Sequence, residues 1–153
     1  STFLQMYRDI AEKEWNYQAS GEQLGWAVPI YVAETDDIAR QEAKPHIEAF
    51  SNKFLRLTNQ MLFPPGYTYL SSMKKIVESK RELMSGGRDM NRLIDTGMFI
   101  CGSPNTVRES LEECRDRTGL EHVVCILQFG TLPHELTVKN LEIFGREVMP
   151  KLR

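Results

Sequence analysis

The stretch Gly97–Gly130, GMFICGSPNTVRESLEECRDRTGLEHVVCILQFG, constrains the fold more than any other. Met98–Cys101 is a short apolar run, followed by Gly102, Ser103 and Pro104. Serine suits a helix N-cap, and proline suits the first helical position, where its missing N–H has no partner to lose. Val107, Leu111 and Cys114 recur at i, i+4 and i+7, one face of a helix. Gly119 stands where a helix end needs a residue that takes the left-handed conformation cheaply. His122–Phe129 then forms a nearly unbroken apolar run, which predicts a parallel strand buried on both faces. A helix followed by such a strand is one repeat of an α/β protein.

The rest of the chain extends that pattern. Thr2–Ala19 predicts a helix with Phe3, Met6, Tyr7, Ile10 and Ala11 as its buried stripe. Trp26–Ala33 predicts a second strand, with Pro29 at an open edge or a bulge because proline gives the ladder no donor. Thr35 is a candidate cap for the next helix, and Asp36 and Asp37 complement its positive end. Ala39, Ala43, Ile47, Phe50, Phe54, Leu57 and Met61 carry helical periodicity, which Pro45 is expected to kink or divide. Phe63-Pro64-Pro65-Gly66 breaks the chain. Tyr69, Leu70, Met73, Ile76, Val77, Leu83 and Met84 suggest a further amphipathic helix, stopped by Gly86-Gly87. Leu136, Leu141, Phe144 and Val148 predict the last helix, ended by Pro150.

A chain of 153 residues is one domain, here residues 1–153. Its 41% hydrophobic and 26% charged residues mark it as globular. A net charge of −2 gives no electrostatic reason to expect a nucleic acid or an anionic membrane as partner. No apolar run approaches the roughly 18 residues of a membrane span. The start at Ser1 suggests a processed or trimmed end. Cys101, Cys114 and Cys125 lie on apolar faces without metal-ligand spacing, so buried reduced thiols in a cytoplasmic protein are expected. His46, His122 and His134 show no ligand spacing either, and no metal site is predicted.

Several segments in order resemble the C-terminal end of the bacterial-luciferase-like flavin monooxygenases. They are Gly102–Val107, Gly119–His122, Leu127–Gly130 and Pro133-His134-Glu135. Leu141–Phe144 and Glu147–Pro150 fit the same ending, as does Ile30–Asp36 upstream. The resemblance implies the C-terminal portion of a (β/α)8 TIM barrel, helix-rich with two or three parallel strands. A whole barrel of this kind takes about 250 residues. It also implies a parent enzyme that oxygenates an aldehyde or similar small substrate with reduced FMN and O2. Two alternatives stand beside it: a non-catalytic flavin-binding or assembly protein of the same fold, and a deazaflavin-dependent oxidoreductase. In that family a segment after the seventh strand covers the flavin pocket, and Phe63–Gly87 (residues 63–87) would be that lid here. The family's catalytic and flavin-binding residues lie mostly on earlier strands, so the resemblance assigns no catalytic residue to this chain.

Barrel sites lie at the C-terminal ends of the strands. Glu34 and Thr35 follow one strand and Gln128, Phe129 and Gly130 end another; with Tyr67 they are the candidate substrate or flavin pocket. Each has a structural reading too. Thr35 is preferred as a cap, Gly130 can serve a turn, and Tyr67 can be core. Gly102–Asn105 at a helix start can hold an anion, but capping is the preferred reading there. A cut barrel leaves apolar strand edges open, so a homo-oligomer is expected.

Overall fold

A computed structural model describes residues 2–55 and 88–152 and, between them, positions 61, 66, 69, 73, 74, 77 and 78. Helix α1 spans Thr2–Trp15, strand β1 Gly25–Val32 and helix α2 Asp36–Ala49, which runs into a π-helical turn at Phe50–Phe54. Helix α3 (Met90–Asp95), strand β2 (Ile100–Gly102), helix α4 (Pro104–Thr118) and strand β3 (His122–Ile126) follow. Helix α5 (His134–Ile143) ends the chain, continued by a π-helical turn at Phe144–Val148 and a 3-10 turn at Met149–Lys151. The three strands form a parallel sheet in the order β2-β1-β3.

The unit around α4 forms as its sequence predicts. Ser103 caps the helix, its hydroxyl accepting the Thr106 N–H at 3.4 Å, and Pro104 takes the first turn. Gly119 ends it at φ +62°. Val107 and Leu111 are buried, whereas Cys114 is half-buried.

Pro29 sits where the sheet changes partners. Register runs Gly25–Pro29 against β3 and Ile30–Val32 against β2. The Ala33 N–H donates to Gly102 O, toward β2, while the Val32 N–H points the other way, to Asn140. Backbone groups alternate along a strand, so the Pro29 nitrogen also faces β2, one residue before β2 begins. The ladder loses nothing there, and β1 is nonetheless the central strand.

Two apolar layers clothe the sheet. Tyr31, Ala33 and Cys101 pack with Ala39, Ala43 and Ile47 of α2, Met90 and Leu93 of α3, and Phe129. Val28, Ile30, Val32 and Ile100 pack on the other face with Val107 and Leu111 of α4, Ile143 of α5, Phe144 and Val148.

Several burial expectations fail, and the reason is common to them. β3 is not buried on both faces: it lies at an edge of the described sheet, and Val124 is 61% exposed. Its register partner Ala27 is exposed beside it, because no described layer covers that part of the face. α1 stops at Trp15 rather than Ala19, since Asn16 turns left-handed at φ +52°. Of its predicted stripe only Ala11 is buried; Phe3 is 82% exposed, and Met6, Tyr7 and Ile10 are exposed too. Pro45 does not divide α2, which continues to Ala49. The stripe of α2 ends at Phe50, with Phe54 and Met61 exposed. On α5, Leu141 is exposed, and Asn140 and Ile143 take the buried positions. Periodicity selects a helix or strand, but burial needs a partner layer that sequence pattern does not specify. Leu57, and the predicted lid except for its isolated described positions, lie outside the described residues.

Candidate functional site at the strand ends

Ligand sites of parallel α/β folds form beyond the C-terminal ends of the strands. Here α2 lies across those ends, in the order of the strands. At its start the Asp36 carboxylate accepts the Ser103 N–H at 2.6 Å, just past β2. Midway, the Tyr31 hydroxyl of β1 donates to Glu42 at 2.8 Å. At its end His46 Nδ1 meets the Thr131 hydroxyl at 2.8 Å, past β3. Gly130 is where the close approach demands glycine: φ is +57°, and a Cβ would lie 2.5 Å from His46 O.

This arrangement fixes the predicted residues one by one. The Thr35 hydroxyl caps α2, accepting the Ile38 N–H at 3.3 Å. Phe129 is buried, edge-on to Tyr31 and Phe99 at ring separations of 6.5 and 5.5 Å. Gly130 lies against α2, and Gln128 is exposed. Glu34 is exposed and lines a cavity of about 450 Å³ with Pro104, Val138, Lys139 and Arg146 among others. Thr35, Gln128, Phe129 and Gly130 are not among its lining residues. Tyr67 lies outside the described residues.

The chemistry at this rim centres on Lys139 of α5. Its ammonium is 2.8 Å from Glu34 and bonds both oxygens of Glu42 at 2.9 and 3.1 Å. Burial alone would lower the Lys139 pKa, but its bonds to Glu34 and Glu42 outweigh that and leave it raised. The Lys139 bond holds Glu34 below the usual carboxylate range. Burial, then the bond to Glu42, pushes the Tyr31 hydroxyl up. The next residue, Asn140, is fully buried and stitches α5 to two strands. Its Oδ1 accepts the Val32 N–H at 2.8 Å, and its Nδ2 donates to Ile30 O and Leu127 O at 2.8 and 2.9 Å. Glu42, Lys139 and Asn140 are the residues that sequence reasoning missed. The one signal was an asparagine between the apolar positions Leu136 and Ile143.

The helix start at Ser103 is used internally. Asp36 takes its N–H, which with the Thr106 hydroxyl holds the Asp36 carboxyl below its usual range. Gly102 permits this, since a Cβ would lie 2.6 Å from the same carboxylate oxygen. Among the described residues, no group of three His, Cys, Asp or Glu side chains is placed to hold a metal ion. The three cysteines are free; burial pushes the Cys101 thiol up to about 12. No helix of the described residues is long and apolar enough to cross a membrane.

These residues do not by themselves fit a flavin. Glu34, Glu135, Glu142 and Glu147 line the cavity against two cations, an unfavourable setting for a phosphate, and no aromatic ring lines it. The described aromatics nearest the strand ends, Tyr31, Phe99 and Phe129, are buried in the core.

The parallel strands with their helices share the fold of a partial (β/α)8 barrel with two solved structures. Two solved structures carry this fold. Monooxygenase RslO1 from Streptomyces bottropensis superposes with a TM-score of 0.57 at 19% identity, over 97% of this chain and 36% of its own. The oxygenating constituent of 3,6-diketocamphane monooxygenase from Pseudomonas putida, a type II Baeyer–Villiger monooxygenase in complex with FMN, superposes at 0.61 and 18% identity. That match covers 98% of this chain and 40% of the other. The chain thus spans well under half the length of these relatives in fold. No protein-family model and no curated protein sequence matches it.

Proposed function

We propose that this chain is the C-terminal part of a flavin-dependent monooxygenase that oxygenates a small organic substrate, an aldehyde or one like it, with reduced FMN and O2. The observation that carries this reading is the superposition of nearly the whole chain on part of two monooxygenases, one of them in complex with FMN. The ordered sequence resemblance, Ile30–Asp36 through Glu147–Pro150, supports it independently. In this reading Glu34, held by Lys139, and Gln128 face the ligand, and Tyr67 joins them as a proposed contact. Thr35, Phe129 and Gly130 act from beneath by seating α2. The flavin itself supplies the oxygenation chemistry. This chain contributes the charged rim at Glu34 and Lys139. The reading puts the protein in the cytoplasm, in keeping with its free thiols.

In this reading the chain alone lacks part of the site, and it exposes Phe3, Ile10, Trp15 and Val124. We therefore predict that it self-associates, binds FMN weakly or not at all, and is inactive by itself. Sedimentation, a flavin absorbance titration and O2 consumption with reduced FMN and decanal test this. Stoichiometric FMN on a monodisperse monomer would overturn the partial-barrel reading. An absorbance spectrum of bound deazaflavin would redirect it to hydride transfer.

A further inference from the structure

The covalent chain between Leu55 and Arg88 joins two pieces that already interlock. Residues 2–55 supply α1, β1, α2 and its π-helical turn; residues 88–152 supply α3, β2, α4, β3 and α5. The central strand comes from the first piece and both its neighbours from the second, so β1 is inserted between β2 and β3. Polar contacts run the whole length of the junction. Asn140 holds Ile30 and Val32, Asp36 holds Ser103, and Lys139 holds Glu34 and Glu42. Both apolar layers are mixed: Ala43 and Ile47 pack with Met90 and Leu93, and Val28 and Ile30 with Val107 and Ile143.

The chain also leaves and returns at one place. Arg88 Nη1 donates to Ser51 O at 2.9 Å, and Asn52 Nδ2 donates to Arg88 O at 3.2 Å. The Met90 N–H donates to Glu48 Oε1 at 3.2 Å. These bonds close the base of the connection with groups of the two pieces themselves. The entropy of closing a long connection grows only slowly with its length, so contacts between its ends outweigh much of the cost of leaving it open.

We infer that the two pieces are complementary partners, and that the fold survives a cut in the connection between them. The inference is independent of the proposed activity. It is tested on the full chain carrying a site-specific protease sequence inserted after Lys74, with a second insertion after Gly66 as an independent position. After cutting, the two pieces are expected to elute together in native size exclusion and to keep the far-ultraviolet circular dichroism of the uncut protein. Their unfolding midpoint is expected to fall more steeply on hundredfold dilution than that of the uncut chain, as for an added bimolecular step. Separation of the pieces, or loss of the dichroism on cutting at either position, would overturn the inference.

Discussion

Asn140 gives the sharpest test of how this fold is held. Its side chain replaces a missing stretch of ladder: it offers an acceptor to Val32 and donors to Ile30 and Leu127, at 2.8, 2.8 and 2.9 Å. Ile30, Val32 and Asn140 are all 0% exposed, so water does not stand in for a lost partner. In Asn140→Ala three backbone groups lose their partner. The Val32 N–H and Ile30 carbonyl are buried and the Leu127 carbonyl only partly, so at about 1–3 kcal/mol per buried group the sum is about 2–6 kcal/mol. Asn140→Asp separates hydrogen bonding from packing. A carboxylate facing two carbonyls is repelled and buried, which raises its folded pKa above the unfolded value. Its stability is then greatest below the unfolded pKa and lost as pH rises through the folded one. We predict that the Asp variant gains stability from pH 7 to pH 4, relative to wild type, while the Ala variant does not. Urea unfolding at both pH values reads this out. An Ala variant within about 1 kcal/mol of wild type, at unchanged m-value, would refute the stitching role.

Three further predictions follow from burial, close approach and charge. Ile30→Ala should cost about 2–5 kcal/mol, whereas Val124→Ala should stay within about 0.5 kcal/mol of wild type; equal losses in denaturant melts would mean that β3 is covered on both faces. Gly130→Ala should cost about 2–5 kcal/mol, combining left-handed strain with a methyl against the α2 backbone; an unchanged thermal midpoint would dissociate Gly130 from α2. Asp36 has a lowered pKa, so its carboxylate contributes stability above the ordinary 3.8 that is lost as pH falls through the folded value. Asp36→Asn should therefore be less stable than wild type at pH 7, with the gap closing below 3.8; a gap independent of pH would show that charge is not involved.

What the sequence makes legible is local. Ser103, Pro104 and Gly119 act within one turn of themselves, and all three take the predicted positions. The strand at Trp26–Ala33 is likewise legible, because β-branched and aromatic residues dominate it. Burial is less so. Val124, Phe3, Phe54 and Leu141 are apolar at the right spacing and yet exposed, since each depends on a layer supplied by another segment. The rim of the site was legible only in part for the same reason. Glu34 and Thr35 are marked by following a strand, but Lys139 meets Glu42 across 97 residues of sequence. Nothing near either residue announces the other. The sequence offers Gly130 two roles, ligand approach and turn; the structure adds a third, close contact with a helix about 80 residues earlier in sequence.

The path of α2 bears directly on how a ligand would reach this chain. Ala39, Ala43 and Ile47 are all but inaccessible, and they form the layer over Tyr31, Cys101 and Phe129. Lifting α2 would expose that whole layer at about 25 cal/mol per Å² of apolar surface, besides breaking its bonds to Ser103, Tyr31 and Thr131. Such an opening is too costly to serve as a gate. α2 is a fixed cover, and the strand ends beneath it are core. What this chain can present to a ligand is therefore the rim beside α2, where Glu34 and Lys139 meet the start of α4 at Pro104. A charged rim of this kind suits the polar margin of a site better than the apolar bed of a flavin ring. The face at Ala27 and Val124 is apolar, and no described layer covers it. In the function proposed above, what the described residues would give a ligand is thus the polar rim at Glu34 and Lys139.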